Sequence, residues 1–311
     1  MINRPLYALG LLIVTLLLTT GCNSFGKKTM EQPRYTILHP DGTQVSQADL
    51  LDEAAQADVL LVGETHDNPS AHHLEYALFK GILERRAKSG ETPGVALSLE
   101  MLARDLQPVT DEYLSGLITE MHFMAASRPW GNYGPSYRKT LNLAKEKGAP
   151  VIAANAPRRY VNLVSRKGKA ALEQLSPEAR SWIAPLPYQG ASPAYLAKLK
   201  ALEERFETKG IKETKGIKKP TQHSLPDAQA LWDATMAWSI SEARKQDPKN
   251  LVMHISGTFH SEGGLGIPEH LSLYDPLARV LIITIKPRQK NNPLPSFRSD
   301  APIREYLIFT E

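Results

Sequence analysis

The chain has 311 residues, and its 37 lysines and arginines against 33 aspartates and glutamates give a net charge of +4. This excess is small and the basic residues are not gathered into an arm, so the composition argues against nucleic-acid binding. Cys22 is the single cysteine, so no disulfide can form within the chain and a hydrophobic core must stabilise it. The body from about Thr36 onward is long enough for one large domain, or for one domain with an insertion.

The first 21 residues have the pattern of a secretory signal peptide. Arg4 provides a positive charge, an apolar run covers residues 6–18, and a glycine precedes Cys22. The run is too short to span a bilayer comfortably, and small residues before a cysteine predict cleavage there. We therefore expect a lipoprotein that carries acyl chains such as palmitate on Cys22, with residues 22–34 as a lipidated tether. The alternative is an uncleaved anchor with an incidental cysteine.

The residue after the cysteine bears on the membrane that holds the protein. In enterobacterial lipoproteins an aspartate at this position favours retention in the inner membrane, and this chain has Asn23 instead. We therefore expect a protein anchored by lipid in the outer membrane and facing the periplasm.

Short apolar runs alternate with helical patterns through the rest of the chain. The first four runs lack a period of two, which indicates strands buried on both faces of a sheet. Asn68-Pro69 before a helical stretch matches an N-cap followed by proline in the first turn. The alternation predicts an α/β fold, a mostly parallel sheet flanked by helices. The predicted strands are Val59–Gly63, Val95–Glu100, Pro150–Ala154, Leu251–Ser256, Val280–Lys286 and Tyr306–Phe309, and the predicted helices include Ala71–Ser89, Tyr160–Gln174, Pro193–Glu207 and Trp232–Arg244.

The stretch 158–226 interrupts this alternation, because it contains helical patterns and no convincing strand. We predict that it is a smaller helical insertion in an α/β core formed by residues 35–157 and 227–311. A lysine-rich hexapeptide occurs twice in succession within it, at 207–212 and 213–218. A six-residue unit repeated once is too short for a solenoid, so we interpret it as a duplication in a loop.

Polar side chains stand where four of the predicted strands end. The carboxyl ends of parallel strands meet at one edge of a sheet, which is where ligands bind in open α/β folds. A carboxylate that ends a buried strand is also costly to desolvate unless it is paired or bound to something. We therefore expect these residues on one rim of the sheet: Glu64, His66, Glu100, Asn155 and His260.

Two glutamates and two histidines are ligands suited to a borderline divalent metal such as Zn²⁺, Mn²⁺ or Co²⁺. A metal at Glu64, His66, Glu100 and His260 would activate water for hydrolysis, with a spare carboxylate as the base. Against this, the sequence has no compact His-Glu-x-x-His motif. The alternative is that these four side chains only satisfy one another by hydrogen bonds.

Other polar residues nearby have structural interpretations. Asp67 or Asn68 can cap the helix that follows. His72 and His73 lie within that helix, and we interpret them as surface or packing residues rather than ligands. His254, inside an apolar strand, is interpreted as a hydrogen-bonded histidine of the core.

A second group of residues is aromatic. Residues 130–137 place a tryptophan and two tyrosines beside glycine and proline, and residues 155–160 add Arg158 and Arg159. Such loops suit a flat apolar ligand whose edge carries carboxylates for the arginines. The alternative is a loop held in place by ordinary aromatic packing.

Taken in order, these motifs resemble the ChaN family of haem-binding lipoproteins, which belongs with the Tiki and TraB superfamily. The similarity extends from about residue 59 to 285. A pair of Gly-x-x-His motifs with glutamates marks the superfamily, and here these are Gly63–His66 and Gly257–His260. The segments that carry the resemblance are Leu60–Asn68, Ser98–Met101, Trp130–Tyr137, Ile152–Arg158 and Gly257–His260.

The resemblance implies haem as the ligand, a role in haem or iron uptake, and a haem receptor or transporter as partner. It also implies a homodimer that holds two haems face to face, with tyrosine on the iron. We favour Tyr133 or Tyr137 as that ligand, with Arg158 and Arg159 near the propionates. A haem-binding protein without enzymatic activity is the favoured interpretation, and a metal-dependent hydrolase is the alternative. The other tyrosines considered as ligands are Tyr160, Tyr188 and Tyr195.

Replacing Cys22 by alanine removes the sulfur that the acyl chain needs. We expect the Cys22→Ala chain to remain an uncleaved precursor that incorporates no labelled palmitate, whereas a Ser24→Ala control is cleaved and labelled like the wild type. Palmitate labelling in growing bacteria, followed by electrophoresis, measures both results. Labelling of the alanine variant would contradict the lipoprotein interpretation.

Overall fold

One sheet organises the part of the chain that the computed structural model describes, namely residues 35–88, 90, 94–208, 225–288 and 304–311. The signal segment 1–21, the tether with Cys22 and most of the hexapeptide duplication lie outside these residues. In chain order the strands are β1 (Tyr35–Leu38), β2 (Gln44–Val45), β3 (Val59–Glu64), β4 (Val95–Ala103), β5 (Val151–Asn155), β6 (Leu251–Gly257), β7 (Val280–Pro287) and β8 (Arg304–Thr310).

The strand order within the described residues is β2-β1-β8-β7-β3-β6-β4-β5. The strands from β8 to β5 all pair in parallel, and β1 is antiparallel to both β2 and β8. The predicted α/β fold with a mostly parallel sheet is therefore confirmed. All six predicted strands are present, and the two that were missed, β1 and β2, have only four and two residues.

Helices cover both faces of the sheet. Within the described ranges, none is long and apolar enough to cross a bilayer. The α-helices are α1 (Gln47–Ala54), α2 (Pro69–Lys88), α3 (Gln107–Leu114), α4 (Glu120–Ser127), α5 (Tyr133–Ser136), α6 (Arg138–Lys147), α7 (Arg158–Lys167), α8 (Pro177–Ser181), α9 (Pro193–Thr208), α10 (Leu225–Gln246) and α11 (Ile267–Tyr274), and the 3₁₀ turns are Arg104–Leu106, Lys169–Gln174, Thr258–His260 and Glu262–Gly264.

The central strands are buried on both faces, which explains why their sequences lack alternation. In β3, Leu60 and Val62 join the apolar cluster under α2, while Val59 and Leu61 join a second cluster under α10 and α11. Side chains of successive residues point to opposite faces of a strand, so a strand in the middle layer must be apolar throughout. The polar residues of this segment therefore begin only at the carboxyl end of β3, with Glu64.

Helix α2 begins as the sequence predicts. The Asn68 side-chain oxygen accepts hydrogen bonds from the backbone N–H groups of Ser70 (3.1 Å) and Ala71 (3.3 Å), and Pro69 occupies the first turn. The cap satisfies donors that have no partner inside the helix. The chain therefore turns sharply after β3, and residues 64–68 are held at the end of the sheet.

Residues 158–208, the described part of the predicted insertion apart from the start of α10, contain helices and no strand. The predicted helix Tyr160–Gln174 is broken at Gly168, whose φ of +77° ends α7, and a 3₁₀ turn follows. This region packs on α10 through a third apolar cluster that includes Leu172, Ile183 and Leu231. The boundaries of the insertion stay predictions.

Candidate functional site

A cleft of about 500 Å³ opens at the carboxyl edge of the sheet. Because β3, β6, β4 and β5 are neighbours and parallel, the residues that follow them come together at this edge. Apolar and aromatic groups share the wall with polar ones, an arrangement typical of ligand pockets. Its lining includes His66, Glu100, Trp130, Asn155, Arg158 and Trp232.

His66 is held by the buried carboxylate of Glu64. Its Nδ1 donates to Glu64 Oε1 at 2.8 Å, and its ring meets Trp130 edge to face with centroids 4.8 Å apart. Glu64 is 2 % exposed and lies beneath the cleft, whereas the His66 side chain is 43 % exposed on its wall. Burial raises the pKa of Glu64, but hydrogen bonds from His66 and His72 outweigh this and lower it to about 2. Glu64 is therefore an anion that orients the imidazole.

His260 is oriented by a carboxylate in the same way. Its Nδ1 donates to Asp233 Oδ1 at 2.6 Å, and its Nε2 lies 3.6 Å from Glu100 Oε1. Burial lowers the pKa of His260, but the charges of Asp233 and Glu100 raise it to about 9. Asp233 was missed in the sequence because it belongs to no motif. The signal that could have found it is a carboxylate on the apolar face of α10.

Glu100 stands between the two histidines. Its Oε2 accepts a hydrogen bond from the Gly257 N–H at 2.7 Å, and a methyl group on Gly257 would lie 3.1 Å from His66 Nε2. Both imidazoles thus have Nδ1 on a carboxylate and Nε2 on the side of Glu100. Carboxylate-oriented histidines are suited to proton transfer or to metal binding through the other nitrogen.

The structure brings His66, Glu100, Asn155 and His260 to the cleft region, but it does not bring the predicted four metal ligands around one point. Glu64 lies below the rim, and its Oε2 faces the interior, 2.9 Å from His72 Nδ1. Among the described residues, the three side chains whose ligand atoms lie within 4.8 Å of one another are Glu64, His72 and Glu75. This group was not singled out from the sequence.

His72 is buried rather than exposed, and it belongs to an ionic cluster. Its Nδ1 also lies 3.2 Å from Glu75 Oε2. Burial lowers the pKa of His72, but hydrogen bonds to Glu64 and Glu75 raise it to about 10, and burial raises the pKa of Glu75 to about 8. The neighbouring His73 is exposed, as expected. His254 is fully buried and shares a 2.8 Å hydrogen bond with Ser98 Oγ, which confirms its structural interpretation.

The two tyrosines favoured as iron ligands lie in the core. Tyr133 is 1 % exposed and packs near Phe123, and Tyr137 is 2 % exposed and donates its hydroxyl to Glu64 Oε1 at 2.5 Å. Burial raises the pKa of both phenols well above the usual value. Neither residue is part of the cleft wall, because Tyr133 in the short helix α5 and Tyr137 directly after it both point inward.

The two predicted arginines differ. Arg158 lines the cleft and is exposed, whereas Arg159 pairs with Asp105 at 2.5 Å and lies over the rings of Tyr160 and Trp182. Successive residues on a helix point about 100° apart, so only the first of the pair faces the ligand space. Tyr160 is partly exposed, while Tyr188 and Tyr195 are buried.

Comparison with known proteins identifies the family of this chain and a solved structure with a similar fold. A family model described as "Haem-binding uptake, Tiki superfamily, ChaN" matches residues 50–271. No curated protein matches the chain in sequence. A structure of ChaN of Campylobacter jejuni with cofacial haem binding is 17 % identical, with a TM-score of 0.65 over 89 % of this chain and 97 % of that one. Its likeness supports the α/β fold.

Two other structures share less. The type III effector HopBA1 is 13 % identical, with a TM-score of 0.44 over 84 % of this chain and 91 % of that one. An open erythromycin esterase, EreC, is 11 % identical, with a TM-score of 0.42 over 89 % of this chain and 83 % of that one.

Gly257 leaves room for the His66 ring, and a larger residue there tests the arrangement. The added Cβ of Gly257→Ala would lie 3.1 Å from His66 Nε2 and 3.2 Å from its Cε1, so the imidazole must move. We expect a displaced His66 in a crystal structure and a loss of about 1–3 kcal/mol in the free energy of unfolding. In the control, Gly134→Ala, the added Cβ meets nothing within 4 Å. The position of His66 should therefore stay the same, and the free energy of unfolding should not fall. An unmoved His66 in Gly257→Ala would show that the glycine is not needed for space.

Proposed function

Because the chain belongs to the ChaN family of haem-binding uptake proteins in the Tiki superfamily, we propose that it is a haem-binding lipoprotein of the cell envelope that acts in haem or iron uptake. The observation that carries the proposal is the match of the family model to residues 50–271, which include every strand that borders the cleft. The predicted signal and Cys22 support the location, a lipid anchor in the outer membrane with the protein facing the periplasm.

The cleft has the groups that a haem needs. Trp130 and Trp232 provide flat apolar surface, and the exposed guanidinium of Arg158 can pair with a propionate. His66 and Glu100 are polar side chains of its wall, and imidazole is an established axial ligand of haem iron. The haem would supply the iron that is carried, while the protein's own residues bind and orient the porphyrin. Ligation by Tyr133 or Tyr137 stays a prediction, and it requires their hydroxyls to leave the core.

We also propose that the protein is a homodimer. The similar Campylobacter jejuni ChaN is described with cofacial haem binding, and two copies facing each other would enclose two haems in the same manner. The exposed apolar side chains Leu117, Met121 and Met124 would be buried by such a contact. A haem receptor or transporter would then be the partner that delivers or accepts the haem.

A haemin titration of a form starting at Asn23 tests the proposal. We expect saturable absorbance at one haem per chain, with a shift from monomer to dimer in size. Arg158→Ala should weaken binding about tenfold, because an arginine–carboxylate pair contributes on the order of 1.4 kcal/mol at a partly solvated site. The adjacent Arg159→Ala is the control and should bind like the wild type. Absence of saturable binding would overturn the proposal, and equal losses in both variants would overturn the role of Arg158.

The spectrum of the same titration identifies the iron ligand, since tyrosinate and imidazole give different absorption.

A second candidate function is a hydrolase, and the observation that favours it is the pair of carboxylate-oriented histidines on either side of Glu100. His260 or His66 would take the proton from a water molecule, and Asp233 or Glu64 would stabilise the imidazolium that forms. We expect His260→Ala to lower any turnover of nitrophenyl esters by at least about 100-fold and to leave haem affinity unchanged. The exposed His73→Ala serves as the control. No turnover by the wild type, or full turnover by His260→Ala, would rule this candidate out.

A further inference from the structure

Three hydrogen-bond acceptors surround the ring of His72 in the core beneath the cleft, between the end of β3 and the first turns of α2. They are the carboxylates of Glu64 and Glu75 and the backbone carbonyl oxygen of His66. His72 Nδ1 lies 2.9 Å from Glu64 Oε2 and 3.2 Å from Glu75 Oε2. His72 Nε2 lies 3.1 Å from the backbone carbonyl oxygen of His66. A carbonyl oxygen only accepts, so Nε2 carries a hydrogen. If a metal ion displaced the proton on Nδ1, the lone pair of Nδ1 would point at the two carboxylates.

This arrangement leaves a buried carboxylate oxygen without a hydrogen-bond partner. Glu75 is 0 % exposed, and its Oε1 is buried with no hydrogen-bond partner. Buried carboxylates without compensation cost several kcal/mol each. The single N–H at His72 Nδ1 can form a well-aligned hydrogen bond with one carboxylate but not with both. One divalent ion would serve all three side chains and neutralise two negative charges.

We propose that Glu64, His72 and Glu75 bind one divalent transition-metal ion, with Zn²⁺ the best fit, in a structural site inside the core. Their ligand atoms lie within 4.8 Å of one another. Bonds of 2.0–2.2 Å in a tetrahedral site place neighbouring ligand atoms about 3.4 Å apart, so an ion would require His72 Nδ1 to lie slightly farther from Glu64 Oε2 than the 2.9 Å found here. One imidazole with two carboxylates is a borderline set that suits Zn²⁺ better than Mg²⁺ or Ca²⁺.

The surroundings of His72 also match those of a metal ligand. Histidines that bind metals through one nitrogen usually donate the other N–H to a carboxylate or a backbone carbonyl, which fixes the ring. Here the His66 carbonyl has that role. Oxygen Oε1 of Glu75 has no hydrogen-bond partner, so it could supply a further ligand atom to the ion.

The site is distinct from the rim of the cleft, although the two share Glu64. Oxygen Oε1 of Glu64 accepts hydrogen bonds from His66 and Tyr137, and Oε2 faces His72. One carboxylate would thus bind the ion with one oxygen and hold the cleft histidine with the other. The ion would join β3 to α2, and it would do so whether or not the cleft binds haem.

Burial predicts how the ion exchanges. The three side chains are 0–6 % exposed, so a chelator reaches the ion only when this part of the core opens. An ion on the solvent-accessible rim would be removed quickly. Retention during brief exposure to a chelator therefore separates the proposed site from a surface site.

The experiment uses the full chain, purified in detergent without a histidine tag from zinc-supplemented cells and passed through gel filtration in EDTA. Elemental analysis should find about one zinc per chain in the wild type and below about 0.1 in Glu75→Gln, because amides are poor ligands for zinc. Glutamine has the shape of the protonated acid, so the variant should fold, and circular dichroism verifies this. His73→Ala, on the exposed side of the same helix, should keep its zinc.

Two outcomes would overturn the proposal. The first is a folded wild type with less than about 0.1 zinc per chain after the column. The second is a Glu75→Gln variant that keeps its zinc. If that retention came together with loss of zinc in His260→Ala, the ion would instead lie at the rim. None of these results depends on haem binding, which the titration with haemin measures separately.

Discussion

The carboxylate of Glu64 is the group on which the rest of the site depends. It is the last residue of a strand that is buried along its whole length, so its charge is desolvated unless neighbouring donors compensate. His66 and Tyr137 lie on one oxygen and His72 on the other. Glu64 thus connects the floor of the cleft with the interior of the α2 layer. A change at this carboxylate would be felt in both places.

The sheet topology explains why the two Gly-x-x-His motifs meet. They are far apart in sequence, but β3 and β6 are adjacent and parallel, with Gly63 beside Ser256 and Glu64 beside Gly257. The motifs therefore leave the sheet at the same edge and at the same level. Gly257 provides the close approach, since a side chain there would occupy the space of the His66 ring. Gly257 thus sets how closely the residues after β3 approach the end of β6.

Much of this could be predicted from sequence, because strands buried on both faces leave apolar runs that need no knowledge of their partners. Parallel strands also have a common end, so the order of His66, Glu100 and His260 along the chain was enough to expect them near one another. The orientation of side chains on helices was harder. Asp233 contacts His260 because α10 packs against the sheet, and Tyr133 in α5 and Tyr137 after it point into the core. His72 is followed by a second histidine, His73, which is exposed, and sequence alone does not say which of the two faces inward.

The position of β8 has a consequence for the order in which the chain can fold. β8 lies between β7 and β1, so β1, although early in the sequence, joins the sheet only through a strand that is made after most of the chain. Closing so long a loop is slow, because its entropy must be lost before the pairing is gained. During synthesis the partner of β1 is therefore missing until a late stage. The edge formed by β8, β1 and β2 is therefore the last part of the described sheet that can be completed.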